Sequence, residues 1–149
     1  MRILNQDVRI LRPLSAVAAG TTVQNGTGID MQADGGYDGV MFIAAFGALT
    51  ATQVTGLKAQ YSDDDASYND IAASASPALA DADSNKCIVL DIYQPASRFV
   101  RPVVTRGTAN AVIDGVIAIQ YRGKKRPSTH LATQVKSNKA LVAPIAGAA

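Results

Sequence analysis

The chain has no tryptophan and no glutamate, and only one cysteine and one histidine in 149 residues. Every acidic side chain is therefore an aspartate. A single cysteine, Cys87, excludes an internal disulfide framework and a cysteine-based zinc site. A single histidine, His130, excludes a multi-histidine metal site and leaves little for general-base chemistry. Charged residues are scarce at 17% against 48% hydrophobic, the reverse of a disordered tail. Twelve glycines and six prolines are too few for a collagen-like or low-complexity chain. Long apolar runs are also missing. The longest, Gly39 to Ala51, falls short of the ~20 residues a membrane helix needs. Asp7, Arg9 and Arg12 interrupt the first stretch, so no signal-peptide core is expected there, and the expected setting is a reducing cytoplasm without a membrane.

The length fits one domain, large enough to bury a core without staples. The net charge of +2 conceals an asymmetry. Residues 1–97 carry five basic residues against eleven aspartates, whereas residues 98–149 carry nine basic residues and only Asp114. An acidic front and a basic back suggest self-association or docking on an acidic partner, with nucleic acid as the competing reading.

Along the chain, short β-type segments alternate with turn signals. Residues 1–22 read as an extended arm, since Pro13 breaks any helix and Val8, Ile10 and Leu14 follow no period. Thr27–Met31 reads as a short strand, and Val40–Phe46 as a strand apolar enough to be buried on both faces. Val54–Tyr61 and Tyr68–Ile71 form a hairpin with an acidic tip, and Gly56 suggests a bulge. Residues 72–86 read as a loop with one helical turn near Ala78–Ala82. Cys87–Tyr93, Arg98–Thr105 and Val112–Tyr121 are strongly β-prone. Pro102 places its strand at an edge or a bulge, and Asp114-Gly115 reads as a bulge inside one long strand. Residues 123–149 are basic, then small and unpatterned, a second arm. The expectation is all-β: one jelly-roll-like β-sandwich over residues 23–122, with extended arms at 1–22 and 123–149.

No motif points firmly to catalysis. Asp63, Asp64, Asp65 and Asp70 lack the spacing of a calcium loop and read as a solvated hairpin tip. Cys87 opens an apolar strand and reads as a buried small hydrophobe. His130 has no neighbouring acid to orient it and reads as a surface residue. Gly26-Thr-Gly28 lacks the third glycine of a dinucleotide fingerprint. The clearest cluster is Arg122, Lys124, Lys125 and Arg126. It would suit phosphate or an acidic protein surface; the scarcity of aromatics weakens single-strand binding, and the long arm that follows the cluster favours protein.

Three stretches, Val54–Asp65, Ser97–Gly107 and Ala111–Arg122, together resemble small structural proteins of tailed bacteriophages. The resemblance covers roughly residues 27–130. It implies a virion protein without catalytic residues or cofactor, most similar to capsid decoration or cement proteins. Head-completion and tail proteins are the neighbouring possibility. The partner so implied is the major capsid protein, on the outer surface of the shell, with a homo-oligomer expected and a dimer favoured over a trimer. The interface residues are expected in the arms: Ile3, Leu4, Val8, Arg9 and Ile10, then Arg122, Lys124, Lys125 and Arg126, contacting acidic protein and not nucleic acid. Removal of residues 1–20 or 123–149 is expected to leave the sandwich folded. A carbohydrate-binding module using Tyr37, Tyr61 or Tyr68 is the alternative from another class, and a hydrolase is disfavoured by the lone histidine.

Overall fold

The computed structural model describes residues 3–141. Ten strand segments form two antiparallel sheets. In the first sheet, β1 (Arg9–Leu14) and β2 (Val17–Gly20) both pair with β10 (Ala111–Tyr121), which pairs with β5 (Gly39–Leu49), which pairs with β8 (Cys87–Tyr93). In the second, β3 (Gln24–Asn25) and β4 (Ile29–Asp30) both pair with β9 (Phe99–Thr105), followed by β6 (Gly56–Ser62) and β7 (Asn69–Asp70). β1 with β2 is one interrupted strand, and so is β3 with β4. Counted that way there are eight strands, four to a sheet. The chain crosses between the sheets so that the last long strand lies between the first and third, and the next to last between the second and fourth. That interleaving is the double Greek key of a jelly roll.

The core lies between the sheets. Val40, Phe42, Ala44 and Phe46 of β5, Ile113, Val116 and Ala118 of β10, and Leu57, Ala59, Val100 and Val104 of the second sheet are all at most 1% exposed. Their even spacing along β5 and the second-sheet strands follows from the alternation of side chains across a pleated sheet, and the step of three from Ile113 to Val116 spans a register shift in β10. Gln120 is fully buried among them, its side-chain amide donating to the Asp30 carbonyl at 2.9 Å.

Several expectations change. The N-terminal stretch is no free arm from Arg9 onward. Leu11 joins the core, Val8 is buried, and β1 aligns Arg9 with Gln120 and Leu11 with Ala118. Its periodicity was hidden because Pro13 and the break at residues 15–16 interrupt the alternation. Gly56 starts β6, and the pairing from Gly56 to Ser62 has no bulge. Pro102 is neither at an edge nor on a bulge. It is buried inside the second sheet at the gap between β3 and β4, and its carbonyl accepts from Gly26. A strand residue directs its N and C=O to the same side, so the missing N–H faces a gap that asks for no donor. The bulge at Gly115 is present: the β10–β5 register shifts between Ile113 and Gly115, whose φ is 129°.

The two terminal segments clasp each other along the outer edge of β1. Arg126 pairs with Asp7 at 3.2 Å, Ser128 N–H donates to the Gln6 carbonyl, and Asn5 bonds Asn138. His130 Nδ1 accepts the Ile10 N–H, and Gln134 accepts that of Arg12. These two amides point away from β10, so side chains of the C-terminal segment cap an edge that would otherwise be open. His130 Nε2 lies 3.0 Å from the Asn5 carbonyl and so carries the proton that it donates there. Of the expected arms, residues 1–2 and 142–149 lie outside the described residues.

Candidate docking face

The basic cluster is turned toward its own chain. Arg122 approaches Asp38 at 3.5 Å and lies 5.6 Å over the Tyr93 ring. Lys125 approaches Asp34 at 3.5 Å, and Arg126 pairs with Asp7. Lys124 donates its backbone N–H to the Gly36 carbonyl. With Arg98 on Asp30 at 2.8 Å, four ion pairs join the acidic front to the basic back. Within one chain, then, much of the charge asymmetry is answered. The Asp30 carboxyl is held below the ordinary range by the Arg98 guanidinium. Asp34 is held down first by the Thr129 N–H and then by Lys125. Ile3 is half-buried and Leu4 is 74% exposed on the single helical turn Leu4–Asp7, whereas Val8 is buried.

Other singled-out residues also have structural work. Asp64 accepts from the Ser67 and Ala66 N–H groups and the Ser62 hydroxyl, which brings its carboxyl down to about 2. Among the described residues no three His, Cys or Asp side chains gather as a metal set. Tyr37 is buried, and Tyr68 is covered by Arg101 at 3.8 Å and bonded to Asp65. Of the three tyrosines proposed as a platform, only Tyr61 is presented to solvent, at 37% exposure. It lines a groove of about 260 Å³ with Ile71, Ile92, Tyr93 and Pro95. Cys87 is exposed, because it falls on the outward phase of an edge strand.

The outer faces of the two sheets differ sharply. On the second sheet, Lys58, Gln60, Asp70 and Arg101 are tied together. Lys58 and Gln60 each bond Asp70 at 2.8 Å, and Arg101 donates to Gln60 at 2.7 Å. That polar lattice is what a solvent-facing sheet requires. The first sheet has the opposite character. The register aligns Ile10, Ile119, Met41 and Asp91 in one row, and Ile117, Ile43 and Val89 in the next. Ala45 with Cys87, and Tyr121 with Tyr93 across Gly39, extend the face at either end. Val89 is 56% exposed, Tyr93 50% and Ile117 44%. Tyr121 donates to Asp91 at 2.7 Å, and burial together with that carboxylate pushes its phenol up to about 12.

The sequence signal was the unbroken apolar run of β5. Such a run marks a strand covered on both faces. Val40, Phe42, Ala44 and Phe46 meet the second sheet, but Met41, Ile43 and Ala45 have no layer over them among the described residues and are only half-buried. β8 adds an open edge. By the alternation fixed by Phe46 on Lys86 and Gln94 on Asp38, the backbone groups of Val89 and Asp91 point away from β5.

No protein-family model matches the chain. No curated protein matches it either. Among solved structures it is similar to a chain in the structure of infectious bursal disease virus, Gx strain, at 13% identity and a TM-score of 0.46, over 80% of this chain and 34% of that one. The chain thus spans about a third of the length of that neighbour.

Proposed function

We propose that this chain is a structural subunit of a virus particle, of the decoration or cement kind, that binds the major capsid protein on the shell surface and turns over no substrate. The observation that carries the reading is the apolar outer face of the first sheet. A monomer rarely leaves so continuous a patch in water, and such a patch marks an association surface. The jelly roll supplies a rigid frame for it. Jelly rolls also serve lectins and enzymes, so the frame alone assigns no role. The resemblance of Val54–Asp65, Ser97–Gly107 and Ala111–Arg122 to phage structural proteins supports a shell as the setting. Many identical contacts of modest strength sum through repetition on a shell, which suits a protein whose activity is adhesion.

The test is quantitative. In purified particles of the virus that encodes the chain, its amount is measured against the major capsid protein. A fixed, near-integer ratio supports the reading. A chain absent from particles, or present in only a few copies, contradicts decoration. Few copies would favour a head-completion or tail station.

The groove at Tyr61 and Tyr93 favours a second reading, a carbohydrate site on the same body. Its two exposed rings are suitable platforms, but its volume lies below the ~300–1,000 Å³ usual for ligand clefts. Glycan-array binding abolished by Tyr61→Ala and Tyr93→Ala would establish it.

A further inference from the structure

We infer that a cavity at one end of the sandwich is a second binding site, which takes a carboxylate of an acidic peptide. That the capsid protein supplies the peptide rests on the reading above; the site itself is a property of the isolated chain.

Three turns build it. The chain leaves β4 at Asp30, β8 at Tyr93 and β10 at Tyr121, and the turns that follow meet at the same end. Main-chain bonds hold them together. Met31 N–H donates to the Arg98 carbonyl at 2.8 Å, and Lys124 N–H to the Gly36 carbonyl at 3.0 Å. Gly36 has φ 104°, and the Lys124 stem lies over it, since a Cβ at Gly36 would sit 3.8 Å from Lys124 Cδ. A side chain is strained at that φ, so glycine keeps the turn on which Lys124 rests. Between the turns lies a cavity of about 500 Å³, within the ~300–1,000 Å³ usual for ligand clefts. Met31 and Tyr37, both buried, form its apolar wall, and Gln32, Ser97, Arg98 and Lys124 its polar wall.

The charges select the ligand. No aspartate lines the cavity. Arg98 is already neutralised, because its Nε and Nη2 grip the two oxygens of Asp30 at 3.1 and 2.8 Å. Arg122, Lys125 and Arg126 are answered by Asp38, Asp34 and Asp7, but Lys124 has no acidic partner among the described residues. One unanswered positive charge matches one negative charge, that of a carboxylate and not of a phosphate dianion. The Gln32 amide and the Ser97 hydroxyl each offer a donor and an acceptor, the two functions that a peptide unit carries. Tyr37 is 6% exposed, so its ring offers no open platform of the kind a sugar stacks on.

The test is an NMR titration of the isotope-labelled full chain. The probe is the acetylated, amidated tripeptide Gly-Glu-Gly. At millimolar concentration it should give saturable amide shifts at Gln32, Gly36, Ser97 and Lys124. The Gly-Gln-Gly peptide should bind roughly tenfold more weakly, the loss of one charge-assisted hydrogen bond. Lys124→Gln should weaken the glutamate peptide by a similar factor, and Lys124→Arg should restore it. Lys125→Gln, which removes the partner of Asp34, should change it less than twofold. Lys124 is exposed, so its variants should keep the wild-type spectrum away from the cavity. No saturable shifts, equal binding of the two peptides, or binding indifferent to Lys124→Gln would overturn the site. Glucuronate or inorganic phosphate bound there more tightly than the peptide would overturn the peptide assignment. Peptide binding by a chain that is absent from virus particles would overturn the decoration reading and leave this inference standing. A chain present at a fixed ratio that binds no peptide would do the reverse.

Discussion

Single residues hold this sandwich at points where strands are interrupted. Arg106 is 7% exposed and donates to the carbonyls of Thr22, Ala18 and Ala111 at 2.8–2.9 Å, and burial lowers its pKa. It ties the end of β2 to the start of β10. Lysine cannot present that planar fork. Arg106→Lys and Arg106→Met should both lower stability by about 2–4 kcal/mol, read from denaturant midpoints, with methionine no worse than lysine if packing rather than bonding dominates. Gly115 holds the bulge at φ 129°, and a Cβ there would meet the Leu14 carbonyl oxygen at 3.1 Å. Gly115→Ala should cost about 1–3 kcal/mol by the same measurement. The carboxyls of Asp30, Asp34 and Asp64 are all held below their ordinary value of 3.8, Asp64 at about 2. A depressed folded-state pKa means that the unfolded chain takes up protons first as the pH falls. The stability from these groups is therefore complete above 3.8 and is lost between there and about 2. Thermal midpoints should stay flat down to about pH 4.5 and fall below it. Asp30→Asn should make that fall shallower.

At the level of elements, the N-terminal segment matters most to stability. Because β1 and β2 pair with β10 and supply Leu11 to the core, deletion of residues 1–20 should abolish cooperative unfolding, the reverse of what an arm would do. The sequence alone made these residues look dispensable, since Pro13 and the break after Leu14 hide a pairing whose partner lies a hundred residues away. The strands at Cys87–Tyr93 and Val112–Tyr121 were legible, and so was the bulge at Gly115, because each is local, but the phase of the first was not, and Cys87, expected inside, lies outside. The docking face was half legible. β5 announced two apolar faces, but only the register shows that Met41 lies beside Ile119 and Ile43 beside Ile117. The basic cluster misled for a related reason: its aspartate partners, Asp7, Asp34 and Asp38, are remote in sequence. The cap on the β1 edge gives a direct check. His130→Ala with Gln134→Ala should speed hydrogen exchange at Ile10 and Arg12 while leaving the amides between β5 and β10 protected.

For the whole molecule, one sheet is finished for water and the other is not. The lattice of Lys58, Gln60, Asp70 and Arg101 suits solvent, whereas the strip from Ile10 to Val89 asks for a neighbour. The central claim is that this is a shell-bound adhesive subunit. The most direct measurement is a density map of purified particles. The account predicts eight-stranded sandwiches repeated over the outer shell, each contacting capsid protein, with the first sheet covered. Density for this chain confined to the tail or the interior of the particle, or shells that carry none of it, would contradict the account.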